Sequence, residues 1–249
     1  MTILYKYSII LIFCFALIVF ILLFFISAPY GKFSRKGWGP AIKSKWAWMI
    51  MEFPPPFLMI LFFITSDIKT LPEIIFLILW LSHYIQRTFI YPFSQSGREK
   101  PYPFIVVSLA IIFNCLNGLA NGFGVFNLHS YELSWLCSWQ FISGLIIFIT
   151  GFIINKTADE KLRSFRKQSP EEYVIPYGWF FNYISSPHYF GEIIEWAGWA
   201  ILTWSLPGLA FSVFTFANLF PRAVASHWWY KNHFPDYPSG RKAIIPFII

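Results

Sequence analysis

The chain has 249 residues and a formal net charge of +7, with 57% hydrophobic, 22% aromatic and only 12% charged residues. A charged share near half that of an ordinary soluble domain excludes a soluble globular enzyme. It points instead to one integral membrane domain spanning 1–249, with no room for a separate soluble domain. Cys14, Cys115 and Cys137 all fall in or beside apolar stretches and give no zinc or disulfide framework, and no His-x3-His pair suggests a metal.

Apolar runs of membrane length predict seven transmembrane helices at about 3–27, 46–65, 71–93, 104–121, 135–155, 189–205 and 207–221. The first run, Ile9 to Ile26, exceeds the core of a signal peptide and reads as an anchor. The second contains Pro54-Pro-Pro and should kink there. Gly122-Phe-Gly-Val-Phe after the fourth reads as a turn, and Ser205-Leu-Pro-Gly separates the last two spans as a tight turn. With the loops after spans one, three and five and the C-terminus on one side, that side carries sixteen Lys and Arg against two. The positive-inside rule then places the C-terminus in the cytosol. It also accounts for the positive balance without nucleic acid.

Polar and ionisable groups inside the predicted spans crowd toward the cytosolic face: Glu52 in span two, Tyr84 and Arg87 in span three, Asn155 ending span five, and Glu192 and Glu195 in span six. A charge in lipid costs roughly 2.5–3.5 kcal/mol on insertion scales, so such groups face the protein interior, as a functional site or as a structural ion pair. Together they predict a cavity open to the cytosol beneath an apolar vault. It suits a polar cofactor and a lipophilic substrate. No Gly-x-Ser-x-Gly, Walker loop, His-Glu-x-x-His or dinucleotide-binding Gly-x-Gly-x-x-Gly occurs. What remains is a phenol, carboxylates, guanidiniums and amides. A carboxyl group in a dry pocket tends to keep its proton. Beside a phenol it supplies a second donor, and two donors converging on a carbonyl oxygen stabilise an enolate. The basic stretch Asn155 to Lys167 has the residues of a phosphate site, or of a solvated amphipathic helix. Trp228-Trp-Tyr-Lys-Asn-His-Phe-Pro-Asp-Tyr-Pro suits either an adenine stack or an interfacial aromatic belt.

Several stretches resemble the steroid 5α-reductase family: His83-Tyr-Ile-Gln-Arg-Thr-Phe-Ile-Tyr, Pro101-Tyr-Pro, Phe190-Gly-Glu-Ile-Ile-Glu-Trp-Ala-Gly-Trp-Ala, Thr203-Trp-Ser-Leu-Pro-Gly-Leu-Ala-Phe and Asp236-Tyr-Pro-Ser-Gly-Arg-Lys-Ala-Ile-Ile-Pro-Phe. The resemblance implies a seven-helix membrane enzyme that reduces a 3-oxo-4-ene steroid with NADPH. Hydride would reach the steroid C5 while Glu52 and Tyr84 hold the C3 ketone. Cofactor roles implied by position fall on Trp48, Arg87, Arg98, Tyr102, Asn117, Asn155, Asp159, Arg166, Tyr173, His188, Glu192, Arg222 and Tyr230. Met51 stands where relatives often have Gln, and His188 where they often have Asn. Glu195 is expected to be a structural partner for a neighbouring helix. No metal is implied. The membrane would be a bacterial inner membrane or the endoplasmic reticulum. Other readings are a reductase of another lipophilic enone or enoyl substrate, such as a polyprenal or an enoyl-CoA, and a sterol-binding or transport protein. A third is an S-adenosylmethionine-dependent methyltransferase, faintly suggested by Ser186-Pro-His-Tyr-Phe-Gly-Glu.

Overall fold

The computed structural model describes residues 1–67, 69–169 and 173–249. They form nine α-helices and one short antiparallel strand pair. Six continuous helical stretches are long and apolar enough to cross a membrane. These are α1 (Thr2–Phe25), α2 with α3 (Ser44–Glu52 and Pro54–Thr65), α4 to α5 (Leu71–Ile85 and Tyr91–Ser94), α6 (Phe104–Phe123) with the turn after it, α7 (Trp139–Gln168) and α9 (Leu206–His233). The remaining expected span is α8 (Pro187–Thr203), whose 17 residues give about 25 Å of helix.

The helices outrun their apolar stretches. α7 continues past the expected end at 155 to Gln168. Lys, Ala, Glu, Leu and Arg in that stretch are strong helix formers, and no Gly or Pro interrupts them. α9 likewise passes Pro221 and ends at His233. The turn expected at Gly122 is instead helix, followed by a π-helical turn at Gly124–Leu128. The span expected at 135–155 also starts later, at Trp139, since Leu133–Cys137 is a separate 3-10 turn before α7.

α7 and α8 pack as an antiparallel pair with almost no space between backbones. A Cβ on Gly144, Gly151, Gly191 or Gly198 would lie 2.2–2.4 Å from a backbone nitrogen of the facing helix. Two glycines seven residues apart on each helix therefore form one continuous seam. Small residues allow this approach, and close packing rather than water exclusion drives helix association in lipid. Beside the seam lies an aromatic core of Phe76, Trp80, Phe148, Trp196 and Trp199, all nearly inaccessible. At the opposite end Ala41–Lys43 pairs with Pro101–Pro103, with Ile42 opposite Tyr102. Ser44 N donates to Lys100 O at 2.9 Å and Phe104 N to Pro40 O at 2.8 Å, so this pair fastens the start of α2 to the start of α6.

Candidate active site

The expected kink in the second span is a full interruption. Pro54, Pro55 and Pro56 lack the N–H groups that would bond to the carbonyls of Ile50, Met51 and Glu52, and α2 stops at Glu52. Two of those carbonyls are taken up by side chains: Asn114 of α6 donates to Met51 O, and Thr88 donates to Glu52 O at 3.0 Å. A buried carbonyl needs such a partner, and these two hold Glu52 at a helix break.

Thr88 is available because its own helix is also broken. α4 ends at Ile85, and Gln86–Ile90 forms a π-helical turn. Pro92 removes the amide that would bond to Thr88 O. Such turns recur at functional sites, and this one carries Arg87, three residues after Tyr84. The Arg87 guanidinium lies 3.8 Å from Asp159 of α7 and 3.7 Å from Glu192 of α8. It stacks on Trp48 and Tyr91, at 4.8 and 5.2 Å from the ring centres. Asn155 donates to His188 O at 2.9 Å and to Glu192 Oε2 at 3.4 Å. Glu195 faces the other way along α8. Its Oε1 is 2.8 Å from His83 Nδ1, a buried pair joining α8 to α4.

These groups border one cavity of about 720 Å³. Its polar wall includes Trp48, Glu52, Tyr84, Arg87, Tyr102, Asp159, Arg166, Tyr173, His188, Glu192, Arg222 and Tyr230. Its apolar wall is built by α1, α6 and α9, with Phe15, Leu22, Leu109, Ile112, Phe113, Phe211 and Phe214. All the buried residues of α1 lie between Tyr5 and Ala16, and beyond them Phe20 and Phe24 pack on Phe216 and Phe220 of α9. Leu22 and Ile112 line the cavity and are 49% and 52% exposed. The apolar part of the cavity thus has accessible side chains from both α1 and α6.

Three residues expected at the cofactor are elsewhere. Arg98 is half-exposed, donates to Phe93 O at 3.1 Å and lies 3.8 Å from Glu99; Gly97 and Lys100 line the cavity in its place. Asn117 is fully buried behind Tyr84 and donates to its hydroxyl oxygen at 3.4 Å. Asn155 does not line the cavity, but bonds to His188 O and to Glu192, two residues that do. Other residues of the wall escaped notice. Lys32, counted only for topology, lines the cavity at the turn after α1. It donates to Ser226 and sits over the rings of Tyr230 and Trp229 at 4.1 and 4.8 Å. Burial, with Arg166 nearby, holds its ammonium down to about 7. Tyr30 stacks on Tyr102 at 4.7 Å and accepts from Arg222. The only signal for either was Pro29-Tyr-Gly-Lys at the end of the first span.

The arrangement wants a polar, anionic, partly planar occupant at its polar end. Lys32, Arg163, Arg166 and Arg222 converge there with the rings of Tyr30, Trp48, Tyr173 and Tyr230. His188 Nδ1 and Arg222 Nε are buried with no hydrogen-bond partner among the described residues, and both side chains line the cavity. Buried donors left unmatched are costly, so they mark positions for ligand atoms. Among the described residues no group of three metal-binding side chains occurs.

Residues 100–249 match the family model described as 3-oxo-5-alpha-steroid 4-dehydrogenase. The chain is 42% identical over 236 residues to steroid 5-alpha-reductase DET2 of Arabidopsis thaliana, covering 92% of this chain and 90% of the relative. It is 41% identical over 251 residues to the protein of the same name from Gossypium hirsutum, covering 98% and 97%. With 3-oxo-5-alpha-steroid 4-dehydrogenase 1 of Bos taurus it shares 36% identity over 237 residues, covering 93% and 92%. With similarity of this level along nearly its whole length, and a multi-pass helical fold, the chain belongs to the steroid 5-alpha-reductase family of oxidoreductases.

Proposed function

We propose that this chain reduces the 4,5 double bond of a 3-oxo-4-ene steroid, with NADPH as the reductant, and that α8 is its seventh span with the C-terminus in the cytosol. The family uses a nicotinamide cofactor and acts on steroid enones. The observation that carries the reading is one cavity with two unlike ends, whose wall includes both Glu52 and Tyr84. One end is cationic and aromatic, the other is apolar. The residues at the first end fit a dinucleotide. Lys32, Arg163, Arg166 and Arg222 supply charge for phosphates, and charge-assisted contacts are the strong ones. Trp48 and the tyrosines supply flat faces, and the unmatched His188 Nδ1 supplies a polar edge for a carboxamide.

When bound, the nicotinamide supplies a hydride. The chain's own residues do the rest. The apolar wall takes the steroid rings and keeps water out. Tyr84 donates its hydroxyl hydrogen to the C3 oxygen, where negative charge grows as the enone accepts the hydride at C5. Glu52 is the second group at that oxygen. Arg87, held between Asp159 and Glu192 and stacked on Trp48, keeps the two carboxylates and the indole in place beside the cofactor. Donors set in advance around a developing oxyanion stabilise it strongly, because they need not reorganise.

The test is single-turnover reduction of progesterone by purified protein, measured beside NADPH binding. Tyr84→Phe keeps the ring and removes one donor. It should slow the reaction about 10²–10³-fold, or roughly 2.7–4 kcal/mol, with NADPH affinity unchanged. Near-normal chemistry in Tyr84→Phe would remove the phenol from the mechanism, and no reduction by the wild-type protein would remove the activity.

A further inference from the structure

Behind Tyr84, on the side away from the cavity, three buried polar groups form a chain. Trp199 Nε1 lies 2.9 Å from Asn121 Oδ1, Asn121 Nδ2 lies 2.9 Å from Asn117 Oδ1, and Asn117 Nδ2 lies 3.4 Å from the Tyr84 hydroxyl. Trp199, Asn117 and Asn121 are all fully inaccessible and come from two helices, α8 and α6. None lines the cavity.

The direction of this chain follows from chemistry alone. An indole nitrogen only donates, so the amide oxygen of Asn121 must face Trp199. The amide nitrogen of Asn121 then faces Asn117. It also lies 3.3 Å from Asn117 O and 3.4 Å from Pro207 O, two acceptors that suit only a donor. Asn117 therefore turns its oxygen to Asn121 and its nitrogen to Tyr84. The phenol oxygen accepts from behind, and its own hydrogen has to point elsewhere. The open direction is the cavity. The polar partners in the core are thus arranged so that Tyr84 cannot spend its hydrogen on the protein.

We infer that Trp199, Asn121 and Asn117 are positioning residues: a one-way hydrogen-bond relay, anchored by the donor-only indole, that aims the Tyr84 hydroxyl hydrogen at the substrate ketone. The inference rests on the reductase reading above, in which Tyr84 is the donor. It assigns catalytic importance to two residues, Asn121 and Trp199, that touch neither substrate nor cofactor, and it changes the role of Asn117 from cofactor contact to support of the phenol.

A double-mutant cycle tests it, because a relay that acts through the phenol has nothing to act on once the phenol is gone. Trp199→Phe removes only the anchoring N–H and retains a large aromatic ring; Asn117→Leu removes the last link. Each is made in the wild-type and in the Tyr84→Phe background, with progesterone turnover and NADPH binding measured on the full-length protein. NADPH binding reports folding, and Trp199→Phe serves if Asn117→Leu does not fold. In the wild-type background kcat should fall about tenfold, within the loss of about 10²–10³-fold expected for removing the donor itself, while KM for progesterone and NADPH affinity stay the same. In the Tyr84→Phe background the same changes should have no further effect. An equal fold-loss in both backgrounds, a loss confined to KM, or an unchanged kcat in the wild-type background would each overturn the relay. Wild-type protein that leaves progesterone unreduced, or a Tyr84→Phe that keeps its rate, would instead sink the reductase reading, and the relay with it.

Discussion

The α7–α8 pair and the α2–α4 region solve opposite problems. In α7 and α8 the helices are regular, and glycines bring their backbones into direct contact along the seam. In α2–α3 and α4–α5 the helices are broken, by three consecutive prolines after Glu52 and by a π-helical turn after Tyr84. A regular helix in lipid satisfies its own backbone and has nothing left to offer. A broken one frees carbonyls that must find side-chain partners, and those partners fix the groups at the break. The rigid seam supplies Asp159 and Glu192 at fixed spacing; the broken helices supply Glu52, Tyr84 and Arg87. The difference teaches that the groups proposed to act on the substrate lie where regularity is given up, braced against a pair where it is strictest.

The largest expected effect breaks the seam. A side chain at Gly151 would begin 2.2 Å from the backbone nitrogen of Glu195, which cannot move without displacing α8. Overpacking against side chains costs typically 1–3 kcal/mol, and here the obstacle is backbone. Gly151→Val should abolish recovery of folded, monodisperse protein from membranes. Gly240→Val is the matching control, since a Cβ at Gly240 meets nothing within 4 Å. Equal recovery of the two variants would show that the seam tolerates separation.

This asymmetry also decides what could be read from the sequence. Six of the seven expected spans were legible because lipid thickness sets a minimum length of apolar residues, and the break at Pro54 was legible because proline acts locally. The ends of α7 and α9 were not, because the apolar pattern reports where a helix leaves lipid and not where its hydrogen bonding stops. Glu52, Tyr84 and Arg87 stood out as polar groups in apolar runs, and the structure brings all three to one cavity. Lys32 did not stand out, because a lysine just beyond a span is the ordinary topology signal and only the fold turns it inward over Tyr230. Asn117 was assigned to the cofactor by position, but depth behind Tyr84 is a property of packing that no local pattern encodes. Arg98 is absent from the cavity wall for the reverse reason, since its neighbours Gly97 and Lys100 line the cavity while its own side chain is half-exposed beside Glu99.

A smaller effect sharpens the comparison at the break itself. Thr88→Val keeps the shape of the side chain and removes the donor to Glu52 O. Losing the partner of a buried acceptor costs about 1–3 kcal/mol. The variant should be destabilised by about that amount in thermal unfolding, and turnover should drop because the backbone that carries Glu52 loosens. Thr150→Val provides the contrast from the regular helix. Thr150 is exposed toward lipid and bonds only to Ile146 O within its own helix, so that change should be close to neutral. Indistinguishable variants would mean that the freed carbonyl at Glu52 needs no side-chain partner.

The smallest effect is a pH dependence at the rim, where the turn after α1 meets the end of α9. Lys32 is half-buried among Ser226, Trp229 and Tyr230, and burial with the nearby Arg166 holds its ammonium at about 7 instead of the ordinary 10.5. The unfolded chain keeps the proton up to about 10.5 while the folded chain keeps it only to about 7. Between those values the unfolded state binds more protons, so stability of the unliganded protein should rise with pH across that window. Ligand binding has the opposite sign. An anionic cofactor favours the ammonium and restores its affinity for a proton, so binding takes up a proton above pH 7. The KM for NADPH should therefore rise as pH climbs from 6.5 through 8.5, by about tenfold per pH unit at most, while kcat moves little. Lys32→Gln has no proton to take up; its KM should match the high-pH value of the wild type and lose this rise. A wild-type KM that is flat over this range, or a rise that survives in Lys32→Gln, would place the anionic part of the cofactor away from Lys32 and leave Arg166 and Arg222 to hold it.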